Sequence, residues 1–513
     1  MNVVAITLLA AVLGSQPSPG AVASCGALAR LTPPHTKITE ARVVSAGEFT
    51  VPAAVARFSP SPDRGNTVPD LPVFCRVTAE ISPATDSDIR IEVWMPVAGW
   101  NGKLVGVGNG GWSGFVRYDE LAAAVRGGYA AAATNTGHAG SATDASFALG
   151  HPEKLIDFGY RAVHEMTVEA RSLVEAFYGR PAERAYWAGC STGGKQGLTE
   201  AQRFPLDYDA IVAGAPANDW THLMAGDVWT AQATHASPAS YLPPAAYALL
   251  HEAALKACDR RDGLQDGLIE DPPACDFDPG VLLCRRGRQT GCLTAPQVRA
   301  ARKIYAGAVD PRTGERVYPG LEPGSEMQWG VMAGSPEPPI VASYFEYLVF
   351  GDSTWDYRTL DFDADVARAD SLDAAVLDAT DPDLGPFLAR GGKLLLYHGW
   401  SDGLIAPENT VDYYRRVVEA VGPGRADSAV RLFMVPGMHH CDPGEGPSPF
   451  DLLPVLDRWV ATGEPPRRIV AHVAGSAVRR TRPLCPFPQV ARYTGQGSVD
   501  EAASFVCRGP EGR

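Results

Sequence analysis

Short apolar segments separated by turns run through residues 25–217 and return after residue 388. Five strand-like runs occupy 89–95, 103–107, 127–134, 184–188 and 211–213. Before the fourth run, segment 155–178 has apolar residues at helical spacing, namely Ala162, Met166, Ala170, Leu173 and Phe177. Two further strand-like runs follow at 393–397 and 430–435. Strands that alternate with helices favour a parallel sheet covered by helices.

The segment 218–388 has a different pattern. It contains four cysteines, many prolines and, between Asp352 and Asp383, ten Asp residues against two Arg residues. We interpret the acidic run as a solvated face with helix caps. A chain of 513 residues can hold a large domain with an insertion. We therefore predict an α/β catalytic core formed by 25–217 and 389–513, interrupted by a lid domain at 218–388.

A glycine-flanked serine follows the strand-like run 184–188 and precedes a predicted helix. The segment Gly189-Cys190-Ser191-Thr192-Gly193 has the G-x-S-x-G pattern of a nucleophile turn. Glycines permit the sharp turn that exposes the serine hydroxyl, and the following helix directs N–H groups toward a developing oxyanion. This context predicts an α/β-hydrolase fold with Ser191 as nucleophile.

The same turn resembles a phosphate-binding P-loop, which is the alternative from another functional class. Gly189 and Gly194-Lys195 have the required spacing, but Gln196 stands where a P-loop has Ser or Thr to hold magnesium. The nucleotide-binding alternative is therefore disfavoured.

Two later loops supply candidate partners for the serine. Asp402 follows the strand-like run 393–397, and the pair His439-His440 follows the run 430–435. The order Ser, acid, His is that of α/β-hydrolases, and the parallel strands bring these loops to one sheet edge. We predict Asp402 as the acid and His440 as the base.

A cysteine adjoins each of these loops. Cys190 precedes Ser191 and Cys441 follows His440, so contact between the serine and the histidine would bring the two thiols together. We predict a disulfide there. The alternative is a zinc site formed by His439, His440, Cys441 and Cys190, which is disfavoured because adjacent residues rarely all face one ion.

The net charge and the N-terminal sequence limit which binding partners and which cellular compartment are expected. The chain has 45 Lys and Arg against 59 Asp and Glu, a formal net charge of −14, which argues against nucleic acid or an anionic membrane as partner. Residues 1–23 read as a signal peptide, with an apolar stretch at 3–14 and Ala21-Val22-Ala23 before Ser24. Ten cysteines suggest five disulfides in a secreted or periplasmic protein. A lipoprotein signal that leaves Cys25 lipidated is the alternative.

The motifs together resemble the tannase and feruloyl esterase family, which includes mono(hydroxyethyl) terephthalate hydrolase. The likeness rests on Gly-Cys-Ser-Thr-Gly-Gly at 189–194 and Gly-Met-His-His-Cys at 437–441, and extends over nearly the whole mature chain. It implies the triad Ser191, Asp402 and His440. It also implies five disulfides, which are Cys190–Cys441, Cys25–Cys75, Cys258–Cys275, Cys284–Cys292 and Cys485–Cys507. Asn135 departs from the family, where Asp usually precedes Thr-Gly-His.

An acidic loop in the insertion suggests a metal ion. Asp259, Asp262 and Asp266 lie at short intervals with interspersed glycines, an arrangement that suits a hard cation with oxygen ligands but differs from an EF-hand. The resemblance implies a structural Ca²⁺ held by these three carboxylates and the backbone oxygens of Leu264 and Leu268. The alternative is an acidic surface turn. No organic cofactor is expected.

The expected reaction is ester hydrolysis through an acyl-enzyme. The oxyanion hole is predicted to use the backbone N–H of Thr192 and a second N–H from Gly110 or Gly111. By resemblance, the substrate is a small aromatic ester or a phenolic ester of plant polysaccharide, with gallate esters or a terephthalate monoester as alternatives. A non-catalytic protein that binds phenolics or carbohydrate is the alternative from another class. The sequence leaves the oligomeric state open.

Overall fold

The computed structural model describes residues 25–56, 67–285, 290–334, 339–448, 450–473 and 480–509. The predicted signal peptide therefore lies outside the described residues. The strands, numbered in chain order, are β1 (Thr36–Val44), β2 (Phe74–Ile81), β3 (Ile89–Pro96), β4 (Lys103–Val107), β5 (Ala130–Thr134), β6 (Arg184–Cys190), β7 (Ala210–Gly214), β8 (Ala308–Val309), β9 (Arg316–Tyr318), β10 (Lys393–Gly399), β11 (Val430–Val435), β12 (Ile469–His472), β13 (Thr481–Leu484), β14 (Val490–Tyr493) and β15 (Phe505–Arg508).

Nine strands form the central sheet, in the order β1-β2-β3-β5-β4-β6-β7-β10-β11. The neighbouring strands β4, β6, β7, β10 and β11 pair in parallel. Strand β5 also pairs in parallel with β4. Strands β1, β2, β3 and β5 pair antiparallel with one another, so the predicted parallel sheet is wrong on this side. For the pair β2 and β3 the short connection is the reason, because a parallel pair needs a crossover of a dozen or more residues.

Helices cover both faces of this sheet, and further helices belong to the inserted segment. They are α1 (Ala53–Ala56), α2 (Tyr118–Arg126), α3 (Pro152–Ile156), α4 (Ala162–Tyr178), α5 (Thr192–Arg203), α6 (Trp220–His235), α7 (Pro244–Cys258), α8 (Ala295–Ala306), α9 (Gly330–Ala333), α10 (Pro339–Tyr344), α11 (Ala364–Ala369), α12 (Ala375–Leu377), α13 (Gly385–Ala389), α14 (Pro407–Val421), α15 (Pro423–Ala429) and α16 (Leu453–Thr462). Along β10, Leu394 and Leu396 pack on the α4 side, whereas Leu395 packs on the α2 and α16 side. This alternation follows from the two-residue repeat of a strand.

The helix predicted at 155–178 is interrupted by a π-helical turn at Asp157–Arg161, between α3 and α4. The wider turn presents the carbonyl of Gly159, which accepts a 2.6 Å hydrogen bond from Lys195 Nζ. A Cβ at Gly159 would lie 2.6 Å from Val376 Cγ1. The turn that departs from regular helix is therefore also the turn that makes these tertiary contacts, and π-bulges are often found at such functional or contact sites.

The inserted segment leaves the sheet continuous. Strand β7 pairs directly with β10 although the chain between them runs from residue 215 to 392. Much of the segment packs around a second apolar cluster, which also includes Trp112 and Phe158. Within the acidic run, Asp378 Oδ1 accepts the N–H groups of Trp220 and Thr221 at 2.8 and 3.2 Å, so part of this run caps α6. The boundaries of the lid domain stay a prediction.

The cysteines form five disulfides. The pairs are Cys25–Cys75, Cys190–Cys441, Cys258–Cys275, Cys284–Cys292 and Cys485–Cys507, as the family resemblance implies. Cys25 has no thiol left to carry a lipid, so the lipoprotein alternative is wrong. None of the described helices combines the length and the apolar character that crossing a bilayer requires.

Candidate active site

The nucleophile turn joins β6 directly to α5. Ser191 has a φ of 63° and a ψ of −124°, a region that a residue with a side chain seldom adopts. The turn is closely packed, because a Cβ at Gly189 would lie 2.6 Å from the backbone oxygen of Gly193. A Cβ at Gly193 would in turn lie 3.0 Å from Gly108 Cα. Both glycines of the motif are therefore required by close backbone approach.

The structure brings the predicted serine, histidine and aspartate together. His440 Nε2 lies 2.9 Å from Ser191 Oγ, and His440 Nδ1 lies 2.7 Å from Asp402 Oδ2. These two distances fit a relay in which the ring accepts a proton at one nitrogen and is oriented through the other. Ser191 follows β6, Asp402 follows β10 and His440 follows β11, so all three stand at the carboxyl ends of parallel strands.

Asp402 is fully buried and held by four donors. Its Oδ1 accepts the backbone N–H groups of Leu404 and Ile405 at 2.8 and 2.9 Å. Its Oδ2 faces His440 and also His398, whose Nε2 is 3.0 Å away. His398 Nε2 also lies 3.2 Å from the carbonyl oxygen of Ile405, and its Nδ1 lies 2.7 Å from the hydroxyl of Thr410. With two acceptors at Nε2, the proton of this ring belongs on Nε2.

Sequence reasoning assigned no role to His398. Its position four residues before Asp402, at the end of β10, was the available signal. Because its side chain touches the acid and not the serine, it positions Asp402 and does not contact a reacting atom.

The Asp402 carboxylate and the neighbouring imidazoles stabilise each other's charged forms. Burial disfavours an ionised Asp402, but the imidazoles of His440 and His398 hold the pKa of this carboxyl well below its ordinary value. Burial also disfavours a charged His440, yet the Asp402 carboxylate raises the pKa of this imidazole above its ordinary value. An ionised aspartate beside a basic imidazole suits a general base.

The disulfide between Cys190 and Cys441 adjoins this contact, with 6.0 Å between the two Cα atoms. Because the sulfurs are bonded to each other, they are not thiolate ligands, and the zinc alternative is wrong. The other histidine of the pair points elsewhere, since His439 Nε2 lies 2.9 Å from Glu445 Oε2.

The P-loop alternative is also wrong, because the side chain of Lys195 points into the protein interior. Its side chain is fully buried, donates to Gly159 and lies over the ring of Phe158 at 5.6 Å. Burial lowers the pKa of Lys195 to about 7.

The glycine-rich turn lies against the start of α5. The hydroxyl of Thr192 donates a 2.8 Å hydrogen bond to the carbonyl of Gly111. Gly111 has a φ of 51°, and a Cβ there would lie 2.2 Å from the carbonyl oxygen of Ala142. Among the described residues, the backbone N–H groups of Thr192, Gly110 and Gly111 have no hydrogen-bond acceptor. Both candidate glycines therefore stay open as the second oxyanion donor.

Asn135, the departure from the family pattern, has a structural explanation. Its amide oxygen accepts the N–H groups of Arg90 and Gly137 at 2.7 and 3.0 Å, and its amide nitrogen donates to the carbonyl of His138 at 2.7 Å. An ionised aspartate would accept the first two bonds but could not donate the third.

Comparisons with known proteins establish the family of the chain. The family model described as tannase and feruloyl esterase matches residues 75–508. The chain belongs to this family. This family member is a carboxylic ester hydrolase. An uncharacterized esterase of Xanthomonas campestris pv. campestris is 39% identical, with 98% of this chain and 94% of the relative covered. A probable feruloyl esterase B-2 of Aspergillus terreus is 32% identical, with 84% and 86% covered.

Solved structures show the same α/β-hydrolase architecture in this esterase. Feruloyl esterase B from Aspergillus oryzae superposes with a TM-score of 0.88 at 30% identity, covering 95% of this chain and 100% of that one. Tannin acyl hydrolase from Aspergillus niger superposes with a TM-score of 0.78 at 24% identity, covering 93% and 92%. The second likeness bears on the fold alone.

Proposed function

We propose that this esterase is an exported serine hydrolase that cleaves esters of phenolic acids through an acyl-enzyme. The observation that carries the proposal is the continuous contact from Ser191 through His440 to Asp402. A serine hydroxyl is a weak nucleophile by itself, and a base 2.9 Å away can take its proton as it attacks.

In the first half of the reaction, Ser191 Oγ attacks the ester carbonyl carbon while His440 Nε2 takes the hydroxyl proton. The tetrahedral intermediate collapses when the carbon–oxygen bond to the alcohol breaks, and His440 gives the proton to the departing oxygen. In the second half, His440 takes a proton from water, the resulting hydroxide attacks the acyl-serine, and the acid leaves as Ser191 recovers its proton. Asp402 stabilises the imidazolium in both halves.

The negative charge on the carbonyl oxygen needs donors that are in place beforehand. The first N–H of α5, at Thr192, stands directly after the nucleophile, where the helix dipole also favours negative charge. The turn that contains Gly110 and Gly111 is fastened to Thr192 and is proposed to supply the second donor. Removing one donor of this kind typically costs about 10²–10³ in kcat.

The substrate class rests on the relatives, since several carry the name feruloyl esterase. The test is a hydrolysis panel with methyl ferulate, chlorogenate, methyl gallate and a terephthalate monoester. The highest kcat/KM is expected for a ferulate or chlorogenate ester. A preference for methyl gallate would identify a tannase. A preference for the terephthalate monoester would identify an activity like that of mono(hydroxyethyl) terephthalate hydrolase.

A fluorophosphonate probe separates catalysis from binding. It should label Ser191 in the wild-type protein and leave the S191A variant unlabelled. Folded wild-type protein that resists the probe and hydrolyses no member of the panel would favour the non-catalytic binding protein.

A structural Ca²⁺ in the loop 259–268 is part of the proposal. Asp266 Oδ1 is buried and has no hydrogen-bond partner among the described residues, while its Oδ2 pairs with Arg482 at 2.5 Å. Burial, together with the charges of Asp266 and Asp259, raises the pKa of Asp262 to about 6. A cation would supply the missing partner and offset this repulsion, so the residues fit a calcium ion.

The three carboxylates do not form a complete site by themselves. Among the described residues, these oxygens do not form a set within 4.8 Å of one another. Both oxygens of Asp259 accept backbone N–H groups within the loop, from Asp266 and Gly267. The proposed ligand set therefore includes the backbone oxygens of Leu264 and Leu268. Bound calcium would neutralise the charge of the carboxylates and make the loop more rigid. It would not contact the ester substrate.

Export is proposed from the disulfides. Five disulfides persist in an oxidising compartment such as the periplasm or the extracellular medium. Mass spectrometry of the protein recovered from culture fractions tests this, with Ser24 expected as the first residue of the mature chain.

A further inference from the structure

Three potential metal ligands meet on the face of the sheet covered by α4 and α5, outside the sites described above. They are His164 on α4, Glu200 on α5 and Asp207 in the connection from α5 to β7. One ligand atom from each lies within 4.8 Å of the other two. His164 Nδ1 is 2.6 Å from Asp207 Oδ2, and the His164 ring stacks on Phe204 with centroids 4.0 Å apart.

Glu200 is the unusual member of this cluster. The residue is 1% exposed, and among the described residues no N–H or hydroxyl group donates to its carboxylate, which faces the carboxylate of Asp207 instead. Burial and the neighbouring carboxylate of Asp207 raise the pKa of Glu200 well above its ordinary value. Two acceptors that face each other in a buried place need either a shared proton or a cation between them.

The surroundings favour a cation. Glu200 lies near the C-terminal end of α5, where the helix dipole stabilises positive charge. The neighbouring guanidinium of Arg171 donates to the backbone carbonyl of Asp207 and not to its carboxylate. Among the described residues, no Lys or Arg pairs with Glu200. The side chains of His164 and Asp207 are 30% and 12% exposed, so a hydrated ion has a path to the cluster.

We propose that His164, Glu200 and Asp207 bind a divalent transition-metal ion of the Zn²⁺ type. Two carboxylates and one imidazole offer two negative charges and a nitrogen donor, which suit Zn²⁺ at about 2.0–2.2 Å. Ca²⁺ prefers oxygen ligands, so the imidazole nitrogen of His164 does not favour Ca²⁺ at this cluster. Three protein ligands leave the fourth position to water. If the ion binds at His164 Nδ1, the hydrogen of the neutral ring moves to Nε2, and a proton shared between Glu200 and Asp207 is released to solvent.

The ion would have a structural role. It would join α4 to α5, the helix whose first residue follows Ser191. Glu200 stands eight residues into that helix, about 12 Å along its axis at 1.5 Å per residue. The site is thus separate from the ester and from the calcium loop.

The test uses the full chain, treated with chelator, returned to calcium and titrated with ZnCl₂. Calorimetry should show one Zn²⁺ bound per chain and thermal melting should show a higher Tm, whereas Mg²⁺ and further Ca²⁺ should not act at this site. The E200Q variant keeps the side-chain shape and removes the charge, so its Kd for Zn²⁺ should rise at least about tenfold. The H164A variant should weaken binding similarly.

A matched control exists elsewhere on the surface. His151 Nδ1 lies 2.7 Å from Asp86 Oδ2, and the described part of the chain offers this pair no third metal ligand. The H151A variant should therefore bind Zn²⁺ like the wild type. Co²⁺ gives a second readout, because a visible absorption band that appears in the wild type should be lost in E200Q.

Folding of the variants is checked without metal. The amide of E200Q can donate to Asp207, so the unligated variant should melt at least as high as the unligated wild type. Absence of Zn²⁺ binding to the wild type, or equal affinity in wild type, E200Q and H164A, would overturn the proposal and show that a proton joins Glu200 to Asp207.

Discussion

Cys190 and Cys441 are bonded across 251 residues of sequence, and each adjoins one of the two side chains between which the proton is proposed to move. The disulfide therefore ties the loop after β6 to the loop after β11. In the chain-entropy model a closed loop of this length contributes about 5 kcal/mol to stability. It also restricts the distance between Ser191 Oγ and His440 Nε2.

Removing this disulfide should harm catalysis more than folding at low temperature. The double variant C190A/C441A is expected to lose about 10²-fold in kcat, because a displacement of about 1 Å between base and nucleophile has that effect. The control is C284A/C292A, which removes a disulfide between cysteines only 8 residues apart and should keep its kcat. Equal losses in both variants would contradict a role in positioning. Circular dichroism and steady-state kinetics are the measurements.

Substitution of the proposed triad should separate the two adjacent histidines. S191A and H440A are each expected to lower kcat by at least about 10³-fold with the fold retained, because nucleophile or base is lost. H439A should stay near wild-type activity, since His439 contacts Glu445 instead of the serine. If both histidine variants lose activity equally, His440 is not the sole base.

The pH profile should report the state of His440. The imidazole must be neutral to take a proton, so activity rises with pH through the pKa of His440, which lies above the ordinary value of 6.5. D402N removes the carboxylate that raises this pKa, so the acid limb should move to lower pH while kcat falls by about 10⁴-fold. Measuring kcat/KM from about pH 5 to about pH 9 tests the sign. A shift of the acid limb to higher pH in D402N would contradict the expectation that Asp402 raises the pKa of His440.

His398 should act on the rate through Asp402. In H398A the carboxylate loses one donor at Oδ2, so the acid is less firmly placed, and kcat should fall about tenfold to 10²-fold. KM should change little, because the ring is fully buried and offers no surface to a substrate. The double variant H398A/D402N should then be about as slow as D402N alone, since the effect passes through the carboxylate. Additive losses would indicate an independent role for His398.

Removal of the proposed calcium ion with a chelator should lower the Tm, because an ion bound only by the folded loop stabilises the protein by mass action. Activity should fall as well, since Leu268 in the loop packs on the turn before His440. A Cβ at Gly437 would lie 2.6 Å from Leu268 Cδ2. Melting with EDTA, and again after calcium is restored, is the measurement.

Two variants sharpen the calcium test. D262N should lose most of the response to EDTA, because one proposed ligand charge is gone. D278N is the control, since Asp278 pairs with Arg302 on the surface of the insertion, and it should respond like the wild type. An unchanged Tm in excess EDTA, with no calcium found by elemental analysis, would refute the calcium site.

The local sequence determined the strands β3 to β7, β10 and β11, the nucleophile turn and the order of its partners. Apolar runs such as 393–397 and 430–435 became β10 and β11 because a buried strand needs little more than apolar residues bounded by turns. Once these strands lie parallel in one sheet, the loops after them meet at a single edge. The contacts among Ser191, Asp402 and His440 therefore follow from chain order and strand direction.

Tertiary structure alone decided the features that depend on partners far away in sequence. The antiparallel half of the sheet and the π-helical turn at Asp157–Arg161 leave no periodic signal, because each depends on packing and hydrogen bonds between separate segments. The cluster of His164, Glu200 and Asp207 is of the same kind. Its members lie on two helices and a loop, and a buried carboxylate without a donor becomes visible only when every neighbour of the side chain is in place.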